Sequence, residues 1–195
     1  MKVFSEFKIF FMLIVVLYLQ ACAPMQQLSV NEEMARKAQV DRLYLESRKL
    51  FHQGTSESYQ SAEAALELAI ELLGKEARIV DALGCIEWAR GNKRRATKYF
   101  QEAIELDSQF SESYGNLAFV ALENGDLYEA EALFKIALSL KPSNYKARNN
   151  FAVYLSELGR LGASKKQLLR SLYRAEVDTP PIENNLEMVD TLRPS

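Results

Sequence analysis

One spacing constrains this chain more than any other feature. Three blocks of 34 residues begin at Ala77, Ser111 and Tyr145, the first closing at Phe110 and the second at Asn144. Matching places hold Leu83-Gly84, Leu117-Ala118 and Phe151-Ala152, then Gly91, Gly125 and Gly159. Further on stand Ala96, Ala130 and Ser164, then Phe100, Phe134 and Leu168, then Ala103, Ala137 and Ser171. A period of this length marks units that cannot bury an apolar face alone and must stack on their neighbours. Each block reads as two helices broken at its glycine, which accepts the left-handed backbone used at helix ends. Asp126, directly after Gly125, is a good cap for the helix that follows. Gly84, Ala96 and Ala103 carry little or no side chain, so paired helices approach closely, and Phe100 and Phe134 fill the space between repeats.

This pattern resembles the tetratricopeptide repeat, a helix–turn–helix unit of 34 residues. The resemblance implies an all-α solenoid with repeats over 77–110, 111–144 and 145–176. A degenerate hairpin is expected ahead of them over 31–76. Ala62, Leu66 and Ala69 lie one period before Ala96, Phe100 and Ala103, and Gly54 stops the preceding helix. The capping-box pattern Ser29-x-x-Glu32 opens that helix. The fold expected is thus an α-solenoid of about four helix hairpins. The tail, 177–195, holds Ile182, Leu186 and Val189 at helical spacing. Two readings stay open there, a capping helix over 182–192 with Thr179 as N-cap, or a disordered tail.

The amino terminus carries a different signal. Ile9 to Leu19 is an apolar run of eleven residues, whereas a helix needs about 20 to cross a bilayer core. Lys2 and Lys8 precede the run, and Ala21, Cys22 and Ala23 follow it. Positive, apolar, then small is the order of a secretory signal peptide. Leu19-Gln20-Ala21-Cys22 resembles the bacterial lipobox. The resemblance implies a leader over 1–21, cleavage before Cys22, acylation of Cys22 and a lipidated tether over 22–30. Two or three acyl chains anchor firmly where one does not. Ala23 after the cysteine resembles sorting to the outer membrane, with the domain facing the periplasm. Cys85 is the only other cysteine, so a lipidated Cys22 leaves no disulfide to support the fold.

Catalytic chemistry finds no foothold. There is no glycine-rich phosphate loop, Gly-x-Ser-x-Gly, HExxH or CxxC. A single histidine, His52, cannot build a His-based metal site. A net charge of −2 gives no reason to expect nucleic acid. The expectation is no enzyme, no cofactor, no metal and no small-molecule substrate. Two basic clusters stand out, Lys93, Arg94, Arg95 and Lys98, then Arg160, Lys165, Lys166, Arg170 and Arg174. They read either as solvated faces or as contacts for anionic lipid or an acidic partner.

The resemblance places the first helix of each repeat on a concave surface that grips a peptide or helix. Carrying those places over gives an apolar strip of Cys85, Trp88, Phe119, Leu122 and Val153, with Lys146 and Asn149 beside it. An apolar centre with a polar rim concentrates binding energy, and Trp is an enriched anchor. The alternative for Trp88 is packing against a neighbouring helix. The function expected is a protein-binding adaptor. "NNFAVYLSELGR" is similar to a stretch of the tetratricopeptide lipoproteins that assist type IV pili and secretins. A regulator of peptidoglycan hydrolases, synthases or proteases is the alternative.

Overall fold

The computed structural model describes residues 29–174 and 180–192. Residues 1–28, with the expected leader and Cys22, and Thr179 fall outside them. Among the described residues there are nine helices and no strand. Helix α1 spans 29–51 and pairs with α2, Ser56–Leu73. Three further hairpins follow: α3 Ala77–Ala89 with α4 Lys93–Leu106, α5 Ser111–Glu123 with α6 Leu127–Leu140, and α7 Tyr145–Glu157 with α8 Leu161–Arg174. Helix α9, Pro180–Thr191, closes the stack.

Local chemistry sets these boundaries. Gly91, Gly125 and Gly159 have φ of +82°, +79° and +71°, a backbone that costs glycine nothing and side-chain-bearing residues dearly. Asp126 accepts a hydrogen bond from the Glu129 amide at 3.3 Å and caps α6. Two starts differ from expectation. Residues 29 and 30 are already helical, so Ser29 and Val30, expected ahead of the first helix, lie within α1. A capping box forms at α2, where Thr55 and Ser58 bond reciprocally. The hydroxyl of Ser58 does the work that glutamate does in the expected motif.

Small residues let the hairpins close. Ala96, Ala103, Ala130, Ala137, Ser164 and Ser171 are fully buried. A Cβ added to Gly84 would meet Phe100 Cε1 at 2.5 Å, so the phenyl ring occupies the space a methyl would need. Between repeats, a Cβ on Gly115 would stand 2.9 Å from Ala147 Cβ. Where the third repeat replaces alanine by serine, the hydroxyl bonds to the facing helix. Ser164 Oγ donates to the Ala152 carbonyl and Ser171 Oγ to the Tyr145 carbonyl, each at 2.7 Å. Buried hydroxyls with partners in place cost little. Another such chain links three helices: Asn144 Nδ2 donates to Ser111 Oγ, which donates to the Ala137 carbonyl. Asn144 Oδ1 meanwhile accepts from the Ala147 amide and caps α7.

The end of the stack is covered. Ile182 and Val189 of α9 are buried with Ala152 and Leu168, and Leu186 packs beside them. Of the two readings of the tail, 180–191 is therefore the capping helix.

If close contact sets the hairpin geometry, Ala130→Leu and Ala137→Leu should each lose about 1–3 kcal/mol by overpacking. Ser139→Leu, on the exposed side of the same helix, should stay near wild type. Urea midpoints measure all three, and equal midpoints would overturn the assignment.

Candidate functional site

The first helices of the hairpins form one continuous layer, laced by side chains roughly one repeat apart. Arg78 of α3 donates to Asp41 of α1 at 2.5 Å and stacks 5.1 Å from the Tyr44 ring centroid. Asp81 of α3 accepts from Ser113 Oγ at 2.7 Å and Asn116 Nδ2 at 2.8 Å, both on α5. Asn149 of α7 accepts from Asn185 Nδ2 of α9 at 3.0 Å. Helix α5 also packs directly on α7. Helix α9 thus takes the place of a further first helix and extends the layer.

The apolar strip forms on this layer in altered composition. Trp88 and Phe119 are half-buried, edge to face, with ring centroids 5.5 Å apart. That geometry suits the ring quadrupoles. The Lys93 ammonium stands 5.2 Å from the Trp88 ring centroid. Cys85 and Trp88 pack against the buried cluster of Ala96, Phe100 and Val120, and Trp88 stays half-buried. Val153 is half-buried on α7. Leu122 does not belong to the strip. It is only 6% exposed, within the cluster of Ala118, Ala130, Phe134, Tyr154 and Leu155. Leucine at Trp88's place in the next repeat is short enough to be covered entirely. Lys146 is exposed, and Asn149 is half-buried with its amide engaged by α9.

The polar part of this surface is built around Asp81. Asp81 is buried, and loss of water raises its carboxyl to about 6 despite the bonds from Ser113 and Asn116. Glu112 pushes in the same direction, and Lys146 opposes it from two repeats away. Burial and the neighbouring Asp81 push the Cys85 thiol up. Asn116 Nδ2 also reaches Cys85 Sγ at 3.7 Å. Among the described residues, no group of His, Cys, Asp and Glu could hold a metal ion. No helix of the described residues is long and apolar enough to cross a membrane. This surface offers an aromatic pair, the exposed ammoniums of Lys93 and Lys146, and several amides. It is equipped to bind.

Residues 82–145 match the family model described as the tetratricopeptide repeat. The chain is similar to the solved structure of pilF from Pseudomonas aeruginosa, with TM-score 0.63 over 80% of this chain and 69% of that one, at 16% identity. It is also similar to the first such domain of Spaghetti (RPAP3) bound to an HSP90 peptide, with TM-score 0.52 over 59% of this chain and 90% of that one, at 20% identity. The chain has the tetratricopeptide-repeat fold. Among curated proteins, mouse tetratricopeptide repeat protein 8 is 32% identical over 101 residues, half of this chain. The chain spans only 20% of that relative's length.

Within the tetratricopeptide frame, the basic start of α4 is explained by a carboxylate of the preceding helix. Glu87, 1% exposed, accepts from Asn92 Nδ2 at 2.8 Å and Arg90 at 3.1 Å, and pairs with Arg95 at 3.3 Å. Lys93 pairs with Glu123 at 3.7 Å. The helix dipole disfavours cations there, and Glu87 offsets it.

Asp81 gives the repeat a pH signature. Its folded value of about 6 lies above the ordinary 3.8, so the folded state holds the proton more tightly. The stability this group contributes is present below about 4 and is lost as pH rises through about 6. Asp81→Asn keeps the acceptor oxygen and removes the titration. Its urea midpoint relative to wild type should rise across that window and level off above it. A pH-independent difference would return Asp81 to the ordinary carboxylate range.

Proposed function

We propose that this protein is a non-enzymatic adaptor whose inner groove grips a segment of a protein partner, peptide or helix, through Trp88 and Phe119. The half-buried aromatic pair carries this reading. Both rings are fixed on one side by packing and open on the other, and a rigid anchor loses little entropy on binding. Cys85 and Val153 extend the apolar strip, and Lys146 supplies an exposed charge at its far end. The peptide held by the RPAP3 domain supports a groove of this kind.

The adaptor is held to the outer membrane by acyl chains on Cys22, facing the periplasm, and serves the assembly of a pilus or secretin. The lipobox-like tetrad motivates the anchor, and the likeness of the stretch NNFAVYLSELGR to the pilus-assisting lipoproteins motivates the assembly role.

Truncating a central interface aromatic commonly costs about 2 kcal/mol, roughly 30-fold in affinity. Trp88→Ala and Phe119→Ala should therefore each cut crosslinked capture of the membrane partner by roughly that factor. Circular dichroism should show helicity retained. Capture at wild-type levels by both variants would move recognition off the groove.

Cys22→Ser should abolish metabolic labelling by a palmitate analogue and leave the precursor uncleaved or processed as a secreted protein. Label retained in that variant would place the acyl chains elsewhere.

A further inference from the structure

We propose that the outer face of α8 docks on an anionic bilayer surface, with its cations on headgroup phosphates and Leu169 and Tyr173 entering the headgroup layer. The exposed residues of this helix up to Tyr173 are Gly162, Lys165, Lys166, Leu169, Arg170 and Tyr173. None is acidic, and none is a neutral hydrophilic residue. From 158 to 175 the chain contains no Asp or Glu at all. The other second helices differ: α2 exposes Glu57, Glu67 and Glu71, α4 exposes Glu105 and α6 exposes Glu129.

Lys166, Leu169, Arg170 and Tyr173 fall at i, i+3, i+4 and i+7, one face of a helix. Leu169 is 49% exposed and Tyr173 87%. With Pro142 and Arg148 these residues line an open groove of about 700 Å³. The Arg148 guanidinium is fixed there, donating to the Pro142 carbonyl at 2.5 Å and to Gln167 Oε1 at 2.8 Å. Among the described residues, Asp190 of α9 reaches this face and pairs with Lys165. Lys166 and Arg170 have no acid beside them on their own helix.

An outward ridge of cations with a leucine and a tyrosine between them is the composition of interfacial helices. Long basic side chains reach the phosphates while the apolar groups enter the boundary region. The ridge is on a second helix, and none of its residues belongs to the strip of Cys85, Trp88, Phe119 and Val153 proposed above. Docking by α8 therefore leaves that groove open, and it does not require Cys22 to be acylated.

The test is co-sedimentation of the full chain with vesicles of phosphatidylcholine, alone or mixed with phosphatidylglycerol. The ratio of the two partition coefficients cancels any contribution from the apolar run at 9–19. Lys166→Gln with Arg170→Gln should lower that ratio roughly 30-fold, from the usual contribution of a basic residue near an anionic surface. Arg94→Gln with Lys98→Gln removes the same charge from exposed positions of α4 and should leave the ratio unchanged. Leu169→Ser with Tyr173→Ser should weaken retention on the mixed vesicles at constant charge. Equal losses from the α4 and α8 pairs would reduce the effect to net charge and overturn the proposal. So would an unchanged ratio in the α8 pair. Binding of a polyglutamate peptide through Lys166 and Arg170, without preference for the mixed vesicles, would replace the bilayer by an acidic protein.

Discussion

At Gly84 there is no room for a methyl group, because the ring of Phe100 already lies 2.5 Å from where its carbon would be. That contact fixes how closely α3 and α4 approach, and the other hairpins follow from the same constraint. Ala118 and Ala152 stand at the equivalent places, fully buried, facing Phe134 and Leu168. Interiors are packed at crystal density, so a change of one methylene on either side of such a contact is felt across it. The approach of α5 to α7 depends on a second contact of the same kind, Gly115 against Ala147. Together the two contacts set the separation of the first helices, and that separation decides which side chains can meet on the inner surface.

With that separation set, consecutive first helices come near enough to exchange hydrogen bonds. The Asp81 carboxylate reaches both Ser113 and Asn116 only because α3 and α5 lie side by side. Burial of its charge works against stability near neutral pH, as the raised carboxyl value records. What it contributes is position, since a carboxylate with two fixed donors holds the two helices in one register. Ser111 and Asn144 perform the same joining task without charge at the next junction. The stack therefore has uneven joints, the polar and titratable one lying between the first two matched repeats.

The period made most of the fold legible, because each small residue and each turn glycine recurs at a place where its size or backbone freedom is required. Trp88 and Leu122 show the limit of that reading. They occupy one repeat position, yet the indole stays half open while the leucine disappears into the core. Periodicity assigns a face of the helix, and side-chain length decides whether the face is reached by solvent. Glu87 was illegible for another reason. Its repeat equivalents are Ala121 and Leu155, so no pattern pointed to a buried carboxylate, and its meaning lies in Arg90, Asn92 and Arg95 around the turn. Nothing in the repeat announced that Asn185 would arrive from beyond the last repeat to bond Asn149.

The inner positions also change character along the stack. Cys85, Phe119 and Val153 share one register, and Trp88, Leu122 and Ser156 share the other. The second repeat withdraws Leu122 from the surface, and the third substitutes Ser156, whose hydroxyl donates to the Val153 carbonyl at 2.7 Å. Lys146, Asn149 and Asn150 then make the third repeat's share of the layer polar. Apolar contact is consequently concentrated where α3 meets α5, and α7 presents polar groups. A segment held along such a surface would place its apolar residues where α3 meets α5, beside Trp88 and Phe119. The small residues that close the hairpins leave the inner registers free to vary, which is why three repeats with nearly the same packing can present three different surfaces.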